Sequence, residues 1–146
     1  MTLNFKKLNE NATIPKRATE YSAGLDLCAC LDEDLTIKPG ERYLVPTGLA
    51  VSPSDKNVVL LVYARSSLAS KHGLTLSNCV GVVDSDYRGE LKIPMINHSD
   101  TPYTITHGER VAQLVVSPVI FADTCEVDVL DETTRGEGGF GSTGKI

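Results

Sequence analysis

The segment from Tyr63 to Ala69 contains the residues best suited to bind a phosphate group. An apolar run ends just before Arg65, and the residues that follow are typical of one short helix, with Ser66 as the N-cap, Ser67–Lys71 as the body and Gly73 as the C-terminal stop. The first N–H groups of a helix lack partners within it and carry a partial positive charge. With the guanidinium of Arg65 and the hydroxyl of Ser66, they would attract an anion such as phosphate.

Two other segments begin like known ligand loops but lack a required residue. Asp84–Gly89 starts like a calcium-binding loop, but Met95 occupies the twelfth position, where a bidentate glutamate is needed. Gly139–Lys145 nearly matches a phosphate-binding P-loop, but Ile146 stands where serine or threonine is needed. The three histidines show no spacing typical of metal ligands.

The composition limits the partners that the chain can have. Its 146 residues predict about one domain, and 41% hydrophobic with 23% charged residues is typical of a globular protein. A net charge of −5 without a cluster of lysine and arginine argues against nucleic acid or an anionic membrane as a partner. No apolar run has the length of a secretory signal or a membrane span, so we expect a cytoplasmic protein. The four cysteines show no zinc pattern and are predicted to be free thiols.

The elements that would position these residues are mostly short strands. Helical periodicity is almost absent, and β-branched runs alternate with turn residues. From Leu25 to Leu31 apolar residues occupy every second position, which predicts a strand with one buried face. Further strands are predicted at Arg42–Val45, Asn57–Tyr63, Leu91–Ile96, Val111–Val116 and Cys125–Leu130. This pattern favours an all-β domain of sandwich, jelly-roll or barrel type.

Two polar segments interrupt or follow these strands. The polar stretch around Asp84 is flanked by strand-like residues 79–83 and 90–96, which predicts a β-hairpin. From Arg135 onward glycine dominates, so the segment has too little apolar surface to order itself. We therefore predict a β domain over residues 1–134 and a flexible C-terminal flap over 135–146. The flap is either a frayed terminus or a segment that closes over a ligand, and Phe140 within it is an aromatic ring that could stack on one.

Five segments of the chain resemble the five motifs of the homotrimeric dUTPase family, the deoxyuridine 5′-triphosphate nucleotidohydrolases. They are AGLDL at 23–27, YARSSLA at 63–69, NCVGVVDSDYRGE at 78–90, GERVAQL at 108–114 and RGEGGFGSTG at 135–144. Because their order and spacing also match, the resemblance is specific and extends over the full length. Two residues depart from the family pattern: Ala64 stands where many members have proline, and Ser67 where many have glycine.

The resemblance implies a jelly-roll-like single domain with one short helix, assembled as a homotrimer whose active sites are shared between subunits. It implies hydrolysis of dUTP to dUMP and pyrophosphate, which limits uracil in DNA and supplies dUMP for dTMP synthesis. Asp84 would be the general base that activates water for in-line attack on the α-phosphorus. Asp26 would hold Mg²⁺ indirectly, through a water molecule.

The resemblance also implies the residues that bind the substrate. The hairpin would form the uracil pocket, with its backbone and Asn78 on the base and Tyr87 against the deoxyribose. Arg65, Gln113 and Arg135 would contact phosphates, and Arg110 is predicted to be structural. The full set of implied binding residues is Arg65, Ser66, Ser67, Asn78, Gly81, Val83, Tyr87, Lys92, Gln113, Arg135, Gly138, Gly139, Phe140, Gly141 and Ser142.

Two other functions stay open at this point. A dCTP deaminase on the same fold would need a glutamate shortly after the hairpin, where Pro94 stands, and Glu90 comes too early. A non-catalytic trimeric nucleotide-binding regulator would be expected to lack Asp84 or the glycine-rich tail, and this chain has both.

Overall fold

Eleven short strands and one helix form the part of the chain that the computed structural model describes, residues 1–78 and 80–139. The helix α1 spans Ser66–His72. The strands are β1 (Leu3–Lys7), β2 (Leu25–Cys28), β3 (Leu35–Ile37), β4 (Arg42–Pro46), β5 (Leu49–Pro53), β6 (Val58–Ala64), β7 (Leu74–Leu76), β8 (Gly81–Val83), β9 (Lys92–Asn97), β10 (Tyr103–Ile105) and β11 (Arg110–Pro118). The predicted site residues Phe140, Gly141 and Ser142 lie outside the described residues.

The strands form four antiparallel sheets. The largest has the order β2-β11-β6-β8, the next has the order β4-β9-β7, and the pairs β1-β5 and β3-β10 complete the set. The longest ladder joins β6 to β11, from Ala112 opposite Ala64 to Pro118 opposite Val58. The all-β prediction is confirmed, because runs rich in valine and leucine pack well on a pleated surface.

The core lies between the two larger sheets. Along β6, Val58, Leu60 and Val62 are buried whereas Val59 and Leu61 are only partly buried, which is the alternation expected of a strand with one core face. Buried side chains from several other strands and from α1 complete the same cluster: Leu27, Val45, Leu68, Leu74, Ile93, Met95, Ile105, Val111 and Leu114. Because β6 is fixed in this core, the position of Arg65, which directly follows β6, is also fixed.

Most predicted strands are present, but the one over Cys125–Leu130 is wrong. The described chain contains no strand after β11, and the side chains of Val127, Val129 and Leu130 are largely exposed. The alternation in the sequence favours an extended chain there. A strand also needs a pairing partner, and no strand of the described chain pairs with this segment.

The predicted hairpin around Asp84 is also wrong. Strand β8 pairs with β6, whereas β9 pairs with β4 and β7, so the two strands belong to different sheets. The residues between them cross from one sheet to the other. One cause is that the backbone N–H of Leu91 bonds to the carbonyl of Leu49, 2.7 Å away, at the end of the crossing.

The helix begins one residue earlier than predicted. Arg65 is the N-cap, with φ −84° and ψ 133°, and Ser66 is already helical, so no side chain caps the first turn. The predicted end is confirmed: Gly73 has φ 63°, and its N–H reaches the carbonyls of Ala69 and Leu68. A Cβ at Gly73 would lie 2.8 Å from the backbone nitrogen of Ser99, so glycine is required there.

Two further expectations concern the chain as a whole. Cys28, Cys30 and Cys125 are free thiols, as predicted, and Cys79 lies outside the described residues. Within the described ranges, no helix has both the length and the apolar character needed to cross a bilayer.

Candidate active site

Two cavities contain most of the predicted site residues. We call the first the β8 cavity, which has a volume of about 450 Å³, and the second the Asp26 cleft, of about 290 Å³. Predicted residues in the β8 cavity are Asn78, Gly81, Val83, Asp84, Tyr87 and Lys92. Predicted residues in the Asp26 cleft are Asp26, Arg65, Ser66 and Gln113. The two cavities share no lining residue, so within one chain the predicted site is divided into two parts.

The β8 cavity lies between the two larger sheets, where the chain crosses from β8 to β9. Its apolar floor comes from buried residues of β6, β7 and β9, namely Val62, Leu76 and Ile93. Strand β8 is the last strand of its sheet among those described, and an edge strand presents backbone donors and acceptors to its surroundings. A Cβ at Gly81 would lie 3.1 Å from the Cβ of Val62, so glycine keeps this wall close to β6.

Asp84 occupies the rim of the β8 cavity. Its carbonyl accepts a hydrogen bond from the N–H of Tyr87, 3.1 Å away, which closes a tight turn directly after β8. The side chain is exposed and also borders a neighbouring groove with Ser85 and Asp86. No salt bridge joins its carboxylate to another described residue. An accessible carboxylate with this freedom can accept a proton from a water molecule.

The Tyr87 ring is held by the backbone of the residues that follow it. Its hydroxyl donates to the carbonyl of Glu90 at 3.1 Å. The ring lies so close to Gly89 that a Cβ there would overlap the hydroxyl and would come within 2.5 Å of the ring carbon Cζ. Beside it, the ammonium of Lys92 lies 3.5 Å from the carboxylate of Glu90.

The Asp26 cleft is built around one carboxylate and two guanidinium groups. Asp26 Oδ1 lies 3.0 Å from Arg65 Nε, and Asp26 Oδ2 lies 3.1 Å from Arg110 Nη1. The Asp26 side chain is only 18% exposed, so this charge is held by partners within the protein. A β-bulge between Arg110 and Ala112 shifts the register against β2 and re-aims the strand there.

Arg110 is the residue that sequence analysis missed as part of this arrangement. It was predicted to be structural, and its ion pair with Asp26 places it on a candidate site residue. The available signal was its position at the start of the same strand as Gln113, but the register of that strand against β2 is not visible in the sequence.

Gln113 is held between the end of β6 and the segment before β2. Its Nε2 donates to the carbonyl of Ala64 at 3.0 Å, which satisfies a polar side chain within an apolar strand. A Cβ at Gly24 would lie 2.7 Å from Gln113 Oε1, so a larger residue there would displace the end of the Gln113 side chain. Gly24 is a second residue whose part in the cleft sequence analysis missed, although it directly precedes the strand that carries Asp26.

Charges in the Asp26 cleft also act on a nearby thiol. Burial raises the pKa of Cys28, and the Asp26 carboxylate raises it further, whereas Arg110 and Arg65 lower it. The net pKa is raised, so Cys28 stays protonated at neutral pH and is a poor nucleophile.

Four other predicted residues are in the described chain but line neither cavity: Ser67, Arg135, Gly138 and Gly139. Ser67 is exposed on α1. The N–H of Gly138 bonds to the carbonyl of Arg135 at 3.1 Å, which makes a local turn in the segment after β11. Within one chain, the described residues of this segment therefore lie apart from the rest of the predicted site.

The single carboxylate of the Asp26 cleft fits a metal ion whose other ligands are water molecules and substrate phosphates. Among the described residues, no three histidine, cysteine, aspartate or glutamate side chains are grouped as a metal site. Asp26 is a single carboxylate, and Mg²⁺ in proteins is commonly held by one or two carboxylates together with substrate phosphates and water.

Comparison with known proteins gives a consistent result. The family model described as dUTPase matches residues 10–144. The deoxyuridine 5′-triphosphate nucleotidohydrolase of Idiomarina loihiensis is 48% identical over 139 residues, which cover 95% of this chain and 92% of that protein. The enzyme of the same name from Neisseria meningitidis serogroup A is 50% identical over 131 residues, which cover 90% and 87%.

Solved structures with the same fold have lower sequence identity. A variant dUTPase of Staphylococcus bacteriophage 80alpha, solved with dUpNHpp, aligns with a TM-score of 0.88 and 30% identity over 98% of both chains. A variant from phage phi11 of S. aureus, described with the coordination of a structural Mg(II) ion, aligns with a TM-score of 0.81 and 26% identity over 90% of this chain and 100% of that chain.

Proposed function

The chain belongs to the dUTPase family and is an enzyme that hydrolyses dUTP, with the jelly-roll fold of its structural neighbours, and we propose from this premise which residues bind and cleave the nucleotide. The observation that carries the proposal is the convergence of six predicted residues on one cavity of about 450 Å³. That volume lies at the small end of the range typical of ligand pockets.

In this proposal the β8 cavity binds deoxyuridine. The backbone of β8 at Gly81 and Val83 pairs with the edge of uracil, and the side chain of Asn78 adds a hydrogen bond. The apolar floor is closely packed, so the 5-methyl group of thymine would require overpacking. Tyr87 packs against the deoxyribose and leaves no room for a 2′-hydroxyl.

The Asp26 cleft binds the triphosphate. Arg65, Ser66 and Gln113, which line the cleft, contact its oxygens, Ser67 adds a donor from the next position of α1, and Lys92 contributes a positive charge at the rim of the β8 cavity. Anions bind strongly to guanidinium groups because several N–H donors can point at them together. The guanidinium of Arg65 already pairs with Asp26, so a bound phosphate would either share Arg65 with Asp26 or displace Asp26 from it.

Asp84 is the general base. It orients a water molecule and accepts its proton as the oxygen attacks the α-phosphorus in line, and the bond to the bridging oxygen breaks to give dUMP and pyrophosphate. Arg65 and Arg135, with backbone N–H groups of the glycine-rich tail, offset the charge that develops on the phosphates. Asp26 would hold Mg²⁺ through water, and the ion would neutralise charge on the triphosphate when bound.

We propose that a homotrimer completes the site. Because one chain keeps the β8 cavity and the Asp26 cleft apart, a shared active site would combine the cavity of one subunit with the cleft of another. Residues 1–134 form the β domain in this arrangement, and residues 135–146 form a flexible flap. Within the flap, Gly138, Gly139, Gly141 and Ser142 would cradle the terminal phosphates, and Phe140 would stack on the base.

The geometry disfavours the dCTP deaminase alternative. Glu90, the glutamate nearest to the required place, accepts a hydrogen bond from the N–H of Gly48 at 2.9 Å and lies 3.5 Å from Lys92. Both of its carboxylate oxygens are thus engaged by the protein. In the cell, a cytoplasmic enzyme of this kind would limit uracil in DNA and supply dUMP for dTMP synthesis.

Pyrophosphate release tests the proposal directly. We would measure it with dUTP, dTTP, UTP, dCTP and dATP, each with Mg²⁺ and with EDTA. Hydrolysis of dUTP alone, lost in EDTA, is the expected result. Hydrolysis of dTTP or UTP at a similar rate would contradict the assigned roles of the β8 cavity, and full activity in EDTA would contradict the role of Asp26.

A further inference from the structure

Glu90 lies in the wall of the β8 cavity, yet the proposed reaction gives it no role. Its side chain is 22% exposed, and Oε1 accepts the N–H of Gly48 at 2.9 Å. Burying part of a carboxylate costs free energy unless it gains hydrogen bonds. The contact with Gly48, which lies 42 residues away along the chain, therefore connects the cavity wall to a distant part of the fold.

The corner formed by Thr47, Gly48 and Leu49 gives Glu90 a rigid support. Gly48 has φ +65°, and a Cβ there would lie 3.0 Å from both Ala12 Cβ and Cys30 Sγ, so the corner is closely packed from below. Thr47 is fully buried, and its hydroxyl donates to the carbonyl of Leu91 at 2.6 Å.

Three hydrogen bonds thus hold residues 90 and 91 to this corner, two through the backbone of Leu91 and one through the side chain of Glu90. Besides the Thr47 hydroxyl, the N–H of Gly48 reaches the Glu90 carboxylate, and the N–H of Leu91 reaches the carbonyl of Leu49 at 2.7 Å. Of these three bonds, only the one to the Glu90 carboxylate can be removed by substituting a residue of the cavity wall. Removing the Thr47 hydroxyl would instead alter a buried side chain.

This support reaches Tyr87 through a single group, the backbone carbonyl of Glu90. That carbonyl accepts the Tyr87 hydroxyl at 3.1 Å, while the ring rests on Gly89. Tyr87 is 46% exposed, so one side of the ring faces solvent. The position of the ring therefore depends on how firmly the Glu90 carbonyl is held.

We propose that Glu90 is a positioning residue that sets the discrimination between deoxyribose and ribose nucleotides. The inference rests on the proposed function, because Tyr87 excludes a 2′-hydroxyl only if its ring packs on the sugar. With Glu90 held by Gly48, the ring cannot retreat and a ribose does not fit. Without that contact, the ring shifts enough to admit the extra oxygen, whereas the β8 wall that reads the base stays in place.

The test compares nucleotide preferences of Glu90→Ala and Glu90→Gln in the full-length enzyme. We expect Glu90→Ala to raise kcat/KM for UTP relative to dUTP by about tenfold, mainly through a lower KM for UTP. The ratio for dTTP relative to dUTP should change by less than about threefold. Glu90→Gln keeps an oxygen that accepts the Gly48 N–H, so it should restore most of the discrimination.

Glu109→Ala is a matched control elsewhere in the chain. Glu109 is also a partly buried carboxylate, and it accepts the hydroxyl of Tyr103 at 2.7 Å and the N–H of Thr106 at 3.2 Å. It lines neither cavity, so its removal should lower thermal stability without changing either nucleotide ratio.

Several outcomes would overturn the inference. One is a folded Glu90→Ala enzyme with an unchanged UTP ratio, and another is an equal loss of sugar and base discrimination, which indicates general loosening. If Glu90→Ala does not fold, Tyr87→Phe removes the hydroxyl–carbonyl bond instead, and an unchanged UTP ratio there also overturns the inference. An unchanged ratio in Tyr87→Ala would instead refute the proposed role of Tyr87 on the sugar.

Discussion

The β8 cavity and the Asp26 cleft are built from different kinds of contact. The cavity is formed by backbone and apolar side chains of two sheets, and its polar members are held by the surrounding fold, as Glu90 is by Gly48. The cleft is formed by charged side chains that hold one another, with Asp26 between Arg65 and Arg110. The shape of the cavity is thus fixed by folding, whereas the charged side chains at the cleft are held by one another and leave one positive charge in excess.

This difference suits two different tasks. A rigid apolar cavity rejects a misfitting group by steric overlap, so it can supply selectivity between nucleotides. An ion-paired cleft holds its charges close to their working positions without leaving a buried charge unpaired, which would be costly. Variants of the two regions should therefore fail in different ways.

The largest expected effect is at the rim of the β8 cavity. Asp84→Asn should lower kcat by about 10²–10⁴-fold because it removes the proton acceptor for water. Binding of the analogue dUpNHpp, measured by calorimetry, should persist because the cavity shape is unchanged. Asp86→Asn, two residues away in the same turn, is the matched control and should change kcat only slightly. Equal loss of binding and turnover in Asp84→Asn would show that the residue is structural.

The second effect concerns the tail, whose described residues, 135–139, line neither cavity. A chain that ends at Thr134 should fold and keep its oligomer size, yet its kcat should fall by about 10²-fold, since it loses donors to the developing phosphate charge. Light scattering and steady-state kinetics measure the two properties separately. Aggregation of the shortened protein, or full activity, would contradict the separation of a β domain from a flap.

The third effect distinguishes the cleft from the cavity directly. Asp26→Asn should weaken binding of dUpNHpp with Mg²⁺ by about tenfold, because an amide is a weaker partner for cations than a carboxylate. Binding of dUMP, which lacks the β- and γ-phosphates, should change little. Calorimetry with both ligands provides the comparison. If the two ligands lose affinity equally, the cleft and the cavity are not separate binding regions.

The smallest effect lies outside both regions. Burial, the hydrogen bond to Glu109 and the negative charge of Glu109 together raise the pKa of Tyr103 to about 12. Because the unfolded chain would lose this proton near the ordinary pKa of 10.0, the contribution to stability is complete below that pH and is lost as the pH rises toward 12.

Tyr103→Phe tests this contribution. The substitution should flatten the alkaline fall in the free energy of unfolding, measured by urea denaturation across that pH range. Activity at neutral pH should stay the same. A change in nucleotide preference would show that the cavities are coupled to this distant pair.

The sequence predicted the positions of single strands and of the helix well, but it predicted the pairing between strands poorly. The run of apolar residues before Arg65 predicted β6 to within one residue at each end, and Gly73 predicted the end of α1, because both depend on nearby residues. Such local patterns could not say which strands pair. Strand β8 was therefore assigned to a hairpin with β9, although the two belong to different sheets.

The same limit applies within the candidate site. The contact of Arg110 with Asp26 depends on the register between β2 and β11, which no local pattern specifies. The division of the predicted residues between two cavities was likewise not visible, since it depends on where the sheets meet. Asn78 and Tyr87, by contrast, were predicted from one short continuous motif, and both line the same cavity.

The Asp26–Arg110 ion pair joins residues that lie 84 positions apart in the chain, whereas Gly48 and Glu90 are 42 apart. Closing the longer loop costs only about 0.6 kcal/mol more, since the entropy of closure grows with the logarithm of loop length. Folds dominated by such distant pairings nevertheless fold slowly, on timescales of about milliseconds to seconds. In a refolding chain, closing the loop that supports the wall of the β8 cavity therefore has the smaller entropy cost, and closing the Asp26 cleft has the larger one.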